Sequence, residues 1–230
     1  VQSTPGLAYQ ADFENERRWL SFDLLLGRVD RGHPLWGWLV GCGVGEDELA
    51  WLREQAITPG LLGLNYYLTS ERWLDEDWER WPTWSHGGNG RARYADVHAA
   101  LVGRMVGLES LLRQAWERFG LPLALTEVHI GGSRDDQLRW LVDAFDAAEA
   151  AKRRGVDVRA LTAWSAFGSF DWHCLVTRAD GVYEPGLFDV RGPRPRATAL
   201  AKAVARLVRG ARPDHPALDG ARFWGGAGRS

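Results

Sequence analysis

Three short apolar runs in this chain each stop at side chains able to do chemistry. Leu61 to Tyr67 closes on Asn65-Tyr66-Tyr67, Leu121 to Thr126 leads into Glu127-Val128-His129, and Val156 to Trp164 finishes at Trp164-Ser165. A carboxylate at the end of an apolar run is costly to leave without partners. Taken alone, Glu127 has two readings: a reacting acid, or a strand-end glutamate paired with an arginine. Its company favours the first. If the three runs are parallel strands of a barrel-type sheet, their carboxyl ends share one rim, and an amide, two phenols, a carboxylate, an imidazole and an indole converge there.

The elements between must supply that geometry. Helical spacing covers Gln10 to Leu26, with Phe13, Leu20 and Leu24 on one face, and is broken by Arg31-Gly32-His33-Pro34. A shorter helix is predicted from Glu46 to Ala56, ahead of Pro59-Gly60. From Thr69 to about Tyr94 the chain carries Trp73, Trp78, Trp81 and Trp84 among Gly, Pro and charge, which reads as a long irregular loop. Periodicity returns at Leu108, Leu111, Leu112, Ala115, Trp116 and Phe119, and Gly120 is a suitable stop. Ser133 or Asp135 can cap the helix carrying Leu138, Leu141, Val142, Phe145 and Ala148, which closes at Gly155. A last helix spans Arg196 to about Arg209, and the Gly/Pro/Arg-rich tail 210–230 reads as a linker or loosely docked end. Strands alternating with helices imply parallel βαβ units, and apolar strands imply that both faces are covered, as in a barrel or a doubly wound sheet.

Composition narrows the function classes. The chain has 230 residues, 45% hydrophobic and 25% charged, with a net charge of −2, so it offers no electrostatic footprint for nucleic acid or an anionic membrane. It contains no apolar run long enough to span a bilayer. No Gly-x-Gly-x-x-Gly follows a strand, which disfavours a dinucleotide site. Cys42 and Cys174 form no metal-type or disulfide-type spacing and read as two half-buried thiols in a reducing, cytoplasmic compartment. Trp is abundant, at 13 residues, and the first residue is Val1 rather than Met, which leaves three readings of the start: a processed end, an engineered boundary or the edge of an ordered fragment.

Taken in order, the three clusters resemble motifs of family 1 β-glycosidases. Gly63-Leu64-Asn65-Tyr66-Tyr67 is similar to the Gly-Ile-Asn-Tyr-Tyr of that family's sixth strand. Leu125-Thr126-Glu127 resembles the Ile-Thr-Glu-Asn-Gly nucleophile motif of the seventh, and Trp164 to Trp172 resembles the Trp-Ser-Leu-Leu-Asp-Asn-Phe-Glu-Trp segment of the eighth. The pieces between agree too, so the likeness runs from about residue 40 to 208. Within the family it most resembles bacterial family 1-like domains that precede a sugar-nucleotide reductase domain, although no reductase motif is present here.

The resemblance implies an α/β fold of the (β/α)8 TIM-barrel type with only the C-terminal strands present, about five to eight, over residues 1–209. Val1-Gln2 would be a remnant of another strand. It implies that Glu127 attacks the anomeric carbon to form a covalent glycosyl-enzyme, and that Tyr67 orients the Glu127 carboxylate. Asn65 would lie near the sugar hydroxyls, Trp164 would stack on the sugar face, and Asp171 and Trp172 would bind hydroxyls farther along. The alternative for Trp164 and Trp172 is ordinary core packing. Three departures bear on these roles: Val128-His129 replaces Asn-Gly, Gly168-Ser169 replaces Asp-Asn, and Asp171 replaces a glutamate. His129 is a sugar contact, a support for one, or a solvated loop residue.

Retaining hydrolysis also needs an acid about 5–5.5 Å from the nucleophile. The family carries it in Asn-Glu-Pro, which this sequence lacks, and Asn15-Glu16-Arg17 lies in a helical pattern. The expected function is therefore a retaining β-glycosidase-like hydrolase whose acid/base glutamate is missing from the chain. The alternative is a non-hydrolytic carbohydrate-binding or structural module derived from the same barrel. A carbohydrate or β-glycoside is the expected partner, with the missing N-terminal half-barrel or a second copy completing the sheet. Neither nucleic acid nor membrane is expected as a partner. No cofactor is expected, no metal is required, and no ligand cluster suggests one.

Overall fold

The computed structural model describes residues 1–225. In chain order the helices are α1 (Ala8–Arg17), α2 (Leu20–Leu25), α3 (Trp36–Gly41), α4 (Glu46–Glu54), α5 (Leu108–Phe119), α6 (Arg134–Arg153) and α7 (Ala199–Val208). The strands are β1 (Gln2–Ser3), β2 (Leu62–Tyr67), β3 (Arg72–Asp75), β4 (His86–Gly88), β5 (Arg93–His98), β6 (Leu123–His129), β7 (Val158–Ala163), β8 (Ser169–Phe170), β9 (Tyr183–Glu184), β10 (Phe188–Asp189) and β11 (Arg196–Ala197). They fall into two compact units, residues 1–60 with 72–104, and residues 61–71 with 105 onward. Among the described residues no helix is long and apolar enough to cross a membrane.

In the first unit the sheet runs β1-β3-β5-β4, with β1 parallel to β3 and the other pairs antiparallel. This corrects the reading of 69–94 as irregular. In β5, Ala95 and Val97 are fully buried while Tyr94, Asp96 and His98 are not, the period of two that a half-buried strand requires. The strands are short and set among Trp, Gly and charged residues, which hides that period. Gln2 lies opposite Trp73, so the N-terminal strand belongs to this sheet and is not a remnant beside the three apolar strands. The helix expected from Gln10 to Leu26 is two helices. Trp19 N bonds Glu16 O at 3.0 Å, a tighter three-residue turn that ends α1 and seats Trp19 in the interior. Val29, Leu39 and Leu49 form the core beneath α2, α3 and α4.

The second unit carries the three apolar strands as one parallel sheet, in the order β2-β6-β7. The crossovers are α5 and α6, as the alternation of patterns predicts. α5 buries Leu108, Leu112, Ala115 and Phe119, one stripe at helical spacing, and stops at Gly120, whose φ of 65° is the left-handed conformation that glycine adopts without strain. In α6, Ser133 Oγ accepts from Asp136 N at 3.1 Å, so Ser133 rather than Asp135 is the cap. Glu71, almost wholly buried, ties the end of β2 to the start of α5. It accepts from Tyr66 Oη at 3.0 Å, Val106 N at 2.5 Å and Gly107 N at 3.1 Å, and a carboxylate is favoured at that helix terminus.

Each outer strand of this sheet has a ladder partner on one side only, so the sheet is open and the full barrel is not formed within the described residues. The tail expected to be loosely docked is held against α6 where it is described. Arg139 Nε donates to Ala217 O at 2.6 Å, Arg222 Nε to Asp143 Oδ2 at 2.7 Å, and buried Trp224 meets Trp140 edge-on at 5.3 Å. Residues 226–230 of that tail lie outside the described residues. Cys42 is exposed rather than half-buried, and only Cys174 is partly covered; both are free thiols.

Candidate active site

A break in strand periodicity builds this site. Along β6 the most deeply buried side chains are Leu123, Leu125 and Val128, and Ile130 continues the series. The first step is two residues and the second is three. The ladder register slips at the same place: Leu64 pairs with Leu125, but Asn65 pairs with Glu127. Thr126 is the extra residue of a β-bulge, and it puts Thr126 and Glu127 side by side on the face opposite the buried leucines. A regular strand would have sent Glu127 into the core behind Leu125, where an unpaired carboxylate is costly.

On that face the pairing sets Asn65 opposite Glu127 and Tyr67 opposite His129. Thr126 Oγ1 donates to Asn65 Oδ1 at 2.7 Å, fixing the amide beside the bulge. The Tyr67 hydroxyl donates to Glu127 Oε2. So the partner found for Glu127 is a phenol and not an arginine. Burial, and then this bond to a carboxylate, push the Tyr67 phenol well above the ordinary tyrosine range. Both effects keep the proton on Tyr67, which therefore donates to Glu127. The His129 ring stands edge-on to Tyr67, 6.2 Å between centroids, and is buried rather than solvated.

His129 also brings in a residue that the motifs do not contain. Its Nε2 lies 2.7 Å from Glu184 Oε1, on an approach off the axis of a well-formed hydrogen bond. Glu184 sits on β9, which pairs with β8 through Ser169↔Glu184 and Phe170↔Tyr183. The only sequence signal would have been a charged residue in the short Tyr183-Glu184-Pro185 run, too brief to show a period.

The third cluster joins at the backbone. Trp164 N donates to Val128 O at 3.1 Å, and the Trp164–Ser165 peptide is cis. The Trp164 and Trp172 rings lie 5.1 Å apart and tilted by 33°, a pair of partly exposed indoles rather than core packing. Asp171 also has partners within the chain. Its N donates to Val182 O at 2.7 Å, and its Oδ1 accepts from Val182 N at 2.8 Å, so it clamps the base of the loop that follows β8. Within that loop, ligand-type atoms of His173, Cys174 and Asp180 lie within 4.8 Å of one another. The sequence reading passed over this cluster because the aspartate is separated from the His-Cys pair by a turn. Asn65, Tyr67, Glu127 and His129 are thus gathered on one sheet face, with Trp164 beside them through the chain. The tryptophans Trp73, Trp78, Trp81 and Trp84 belong to the other unit.

No protein-family model matches the chain. Over 106 residues it is 30% identical to beta-glucosidase 47 of Arabidopsis thaliana, an alignment covering 43% of this chain and 20% of that protein. In fold it is similar to the β-glucosidase of Thermotoga maritima solved with noeuromycin, with a TM-score of 0.63 and 15% identity over 92% of this chain and 49% of that one. The β-glycosidase of Thermosphaera aggregans gives a TM-score of 0.59 and 16% identity over 93% of this chain and 42% of that one. The chain therefore resembles family 1 β-glucosidases, has the fold of part of them, and spans about half the length of the solved structures or less.

Proposed function

We propose that this chain is the nucleophile-bearing part of a retaining β-glycosidase, built on the C-terminal strands of a (β/α)8 barrel. The observation that carries the reading is the hydrogen bond from Tyr67 to Glu127, at the carboxyl ends of adjacent parallel strands and beside Asn65. A nucleophilic carboxylate must present one oxygen to an anomeric carbon while the other is held still. Tyr67 holds Oε2, leaving Oε1 to attack. In the reaction, Glu127 forms a bond to the anomeric carbon as the bond to the leaving oxygen breaks, giving a covalent glycosyl-enzyme that water then hydrolyses. Trp164 and Trp172 offer indole faces for the apolar side of the sugar. Asn65 and His129 line the same face as Glu127 and are suited to sugar hydroxyls. The acid that protonates an ordinary leaving group comes from outside this chain, since its sequence contains no Asn-Glu-Pro.

That division suggests a test that bypasses the acid. A 2-deoxy-2-fluoro-β-glycoside with dinitrophenolate as leaving group needs no protonation, and its fluorine slows the second step, so the adduct accumulates. Incubation followed by peptide mass spectrometry should place one fluorosugar on Glu127, and the Glu127→Gln variant should take none. A second reading, a carbohydrate-binding module without hydrolysis, is favoured by the same missing acid. Saturable sugar binding with no label on Glu127 would select it.

A further inference from the structure

We propose that His173, Cys174 and Asp180 form a binding site for a divalent cation, zinc being the ion that best suits the ligand set. The three lie in the loop that Asp171 and Val182 close at its base. His173 and Cys174 are on the outgoing limb and Asp180 is on the returning one. His173 Nε2 is 3.0 Å from Asp180 Oδ2, and one ligand atom from each residue falls within a 4.8 Å group. Imidazole nitrogen, thiolate sulfur and carboxylate oxygen are the donors of zinc sites, three of them leaving the fourth tetrahedral position to water. Zinc's bond lengths would place the ligands about 3.3–3.8 Å apart, so the widest separation must contract by up to roughly 1 Å while the His173–Asp180 pair opens slightly. Rotation of these partly exposed side chains can supply that.

The charge agrees. One thiolate and one carboxylate neutralise a dication, and the cluster already draws a cation, since Arg178 Nη2 lies 3.1 Å from Asp180 Oδ2. Arg178 is 69% exposed and can swing into solvent as the metal enters. The single S–H of Cys174 is shared between Asp171 O at 3.2 Å and Arg178 O at 3.4 Å, so the sulfur already lies between the two limbs of the loop. On binding, the sulfur–metal bond forms as the thiol proton passes to solvent, so affinity rises with pH. The turn that returns Asp180 to His173 runs through left-handed backbone at Leu175 and Val176, both with φ of 52°, a conformation rare for a β-branched residue. A cation would pin the two limbs together next to Trp172.

The test uses the chain without a histidine tag and with Cys42→Ser, so that Cys174 is the only thiol. Titration with Co2+ should show one equivalent bound, tetrahedral visible bands and a thiolate-to-cobalt charge-transfer absorption, all discharged by Zn2+. Cys174→Ser should abolish the charge-transfer band, His173→Ala and Asp180→Asn should each weaken binding about 10-fold or more, and Arg178→Ala should strengthen it. Cobalt bound without the charge-transfer band, or with equal affinity in His173→Ala and Asp180→Asn, overturns the site. If a ligand variant loses its native circular dichroism, the Arg178→Ala result decides, and unchanged affinity there also counts against the proposal. None of these readouts depends on glycosidase activity.

Discussion

Leu125 and Val128, three residues apart on one strand, are buried on the same face because Thr126 is extruded as a bulge between them. Substitution along β6 should therefore show a broken period. Leu125→Ala leaves a cavity and should cost about 2–5 kcal/mol, with Val128→Ala costing somewhat less. Thr126→Ala removes an exposed side chain and one hydrogen bond, about 1 kcal/mol. Urea unfolding of the three variants measures this. A strand of unbroken period requires Val128→Ala to be nearly neutral, and that outcome would remove the physical account of how Glu127 reaches the sheet surface.

Tyr67→Phe removes the donor on Glu127 while leaving the ring in place. Losing one positioned donor should slow fluorosugar labelling of Glu127 by about 10–1000-fold. The same variant tests the titration. The phenol is raised above its unfolded value of about 10, by burial first and then by the bond to Glu127. The stability linked to the neutral phenol is therefore complete below that value and is lost progressively as pH climbs from there through the higher folded value. Phenolate absorbance of the native protein should lose no transition near pH 10 when Tyr67 becomes Phe. A transition lost there contradicts the geometry.

The acid limit has a separate origin in the first unit. Burial opposes ionisation of Asp75, but Trp81 Nε1 at 3.0 Å, Asp77 N at 3.0 Å and the Arg80 guanidinium outweigh it, so the carboxyl is lowered. A lowered folded value contributes stability that is present above the unfolded value, about 3.9, and disappears as pH falls through the folded one. Asp75→Asn should thus be destabilised by about 1–3 kcal/mol at neutral pH. That gap should narrow below pH about 4. Denaturation midpoints against pH for both proteins give the answer, and a gap of constant size refutes the assignment.

These cases show where the sequence was readable. α5 and α6 emerged because long amphipathic stretches and glycine stops are local signals, and the three parallel strands emerged because they are mostly apolar runs bounded by turn or helix-stop signals. The resemblance marked Asn65, Tyr67 and Glu127, but the bulge that aims Glu127 was invisible, since it is a property of two strands in register. The strands β3 and β4 are too short to display a period through Trp73 and two glycines, and β5 offers only Ala95 and Val97 as apolar positions among polar ones. The contact of Asp171 with Val182, eleven residues away, was equally invisible, because it crosses a loop that sequence spacing does not fold.

The last prediction concerns a coupling that no motif contains. His129 and Glu184 approach to 2.7 Å, both largely covered, and they connect β6 to the β8–β9 hairpin. If this contact positions His129 on the face that carries Glu127, removing either partner should release the other. His129→Gln and Glu184→Gln should then be non-additive in sugar affinity and in stability, with a coupling of about 0.5–3 kcal/mol. The hairpin also holds Phe170 and Tyr183 ring to ring at 5.0 Å, which keeps β8 and β9 paired in the variants. A double-mutant cycle by calorimetry therefore reads the pair itself. Additivity within about 0.5 kcal/mol would mean that the two side chains are neighbours without consequence. A positive coupling in affinity alone, with stability additive, would place their effect at the sugar site rather than in the fold.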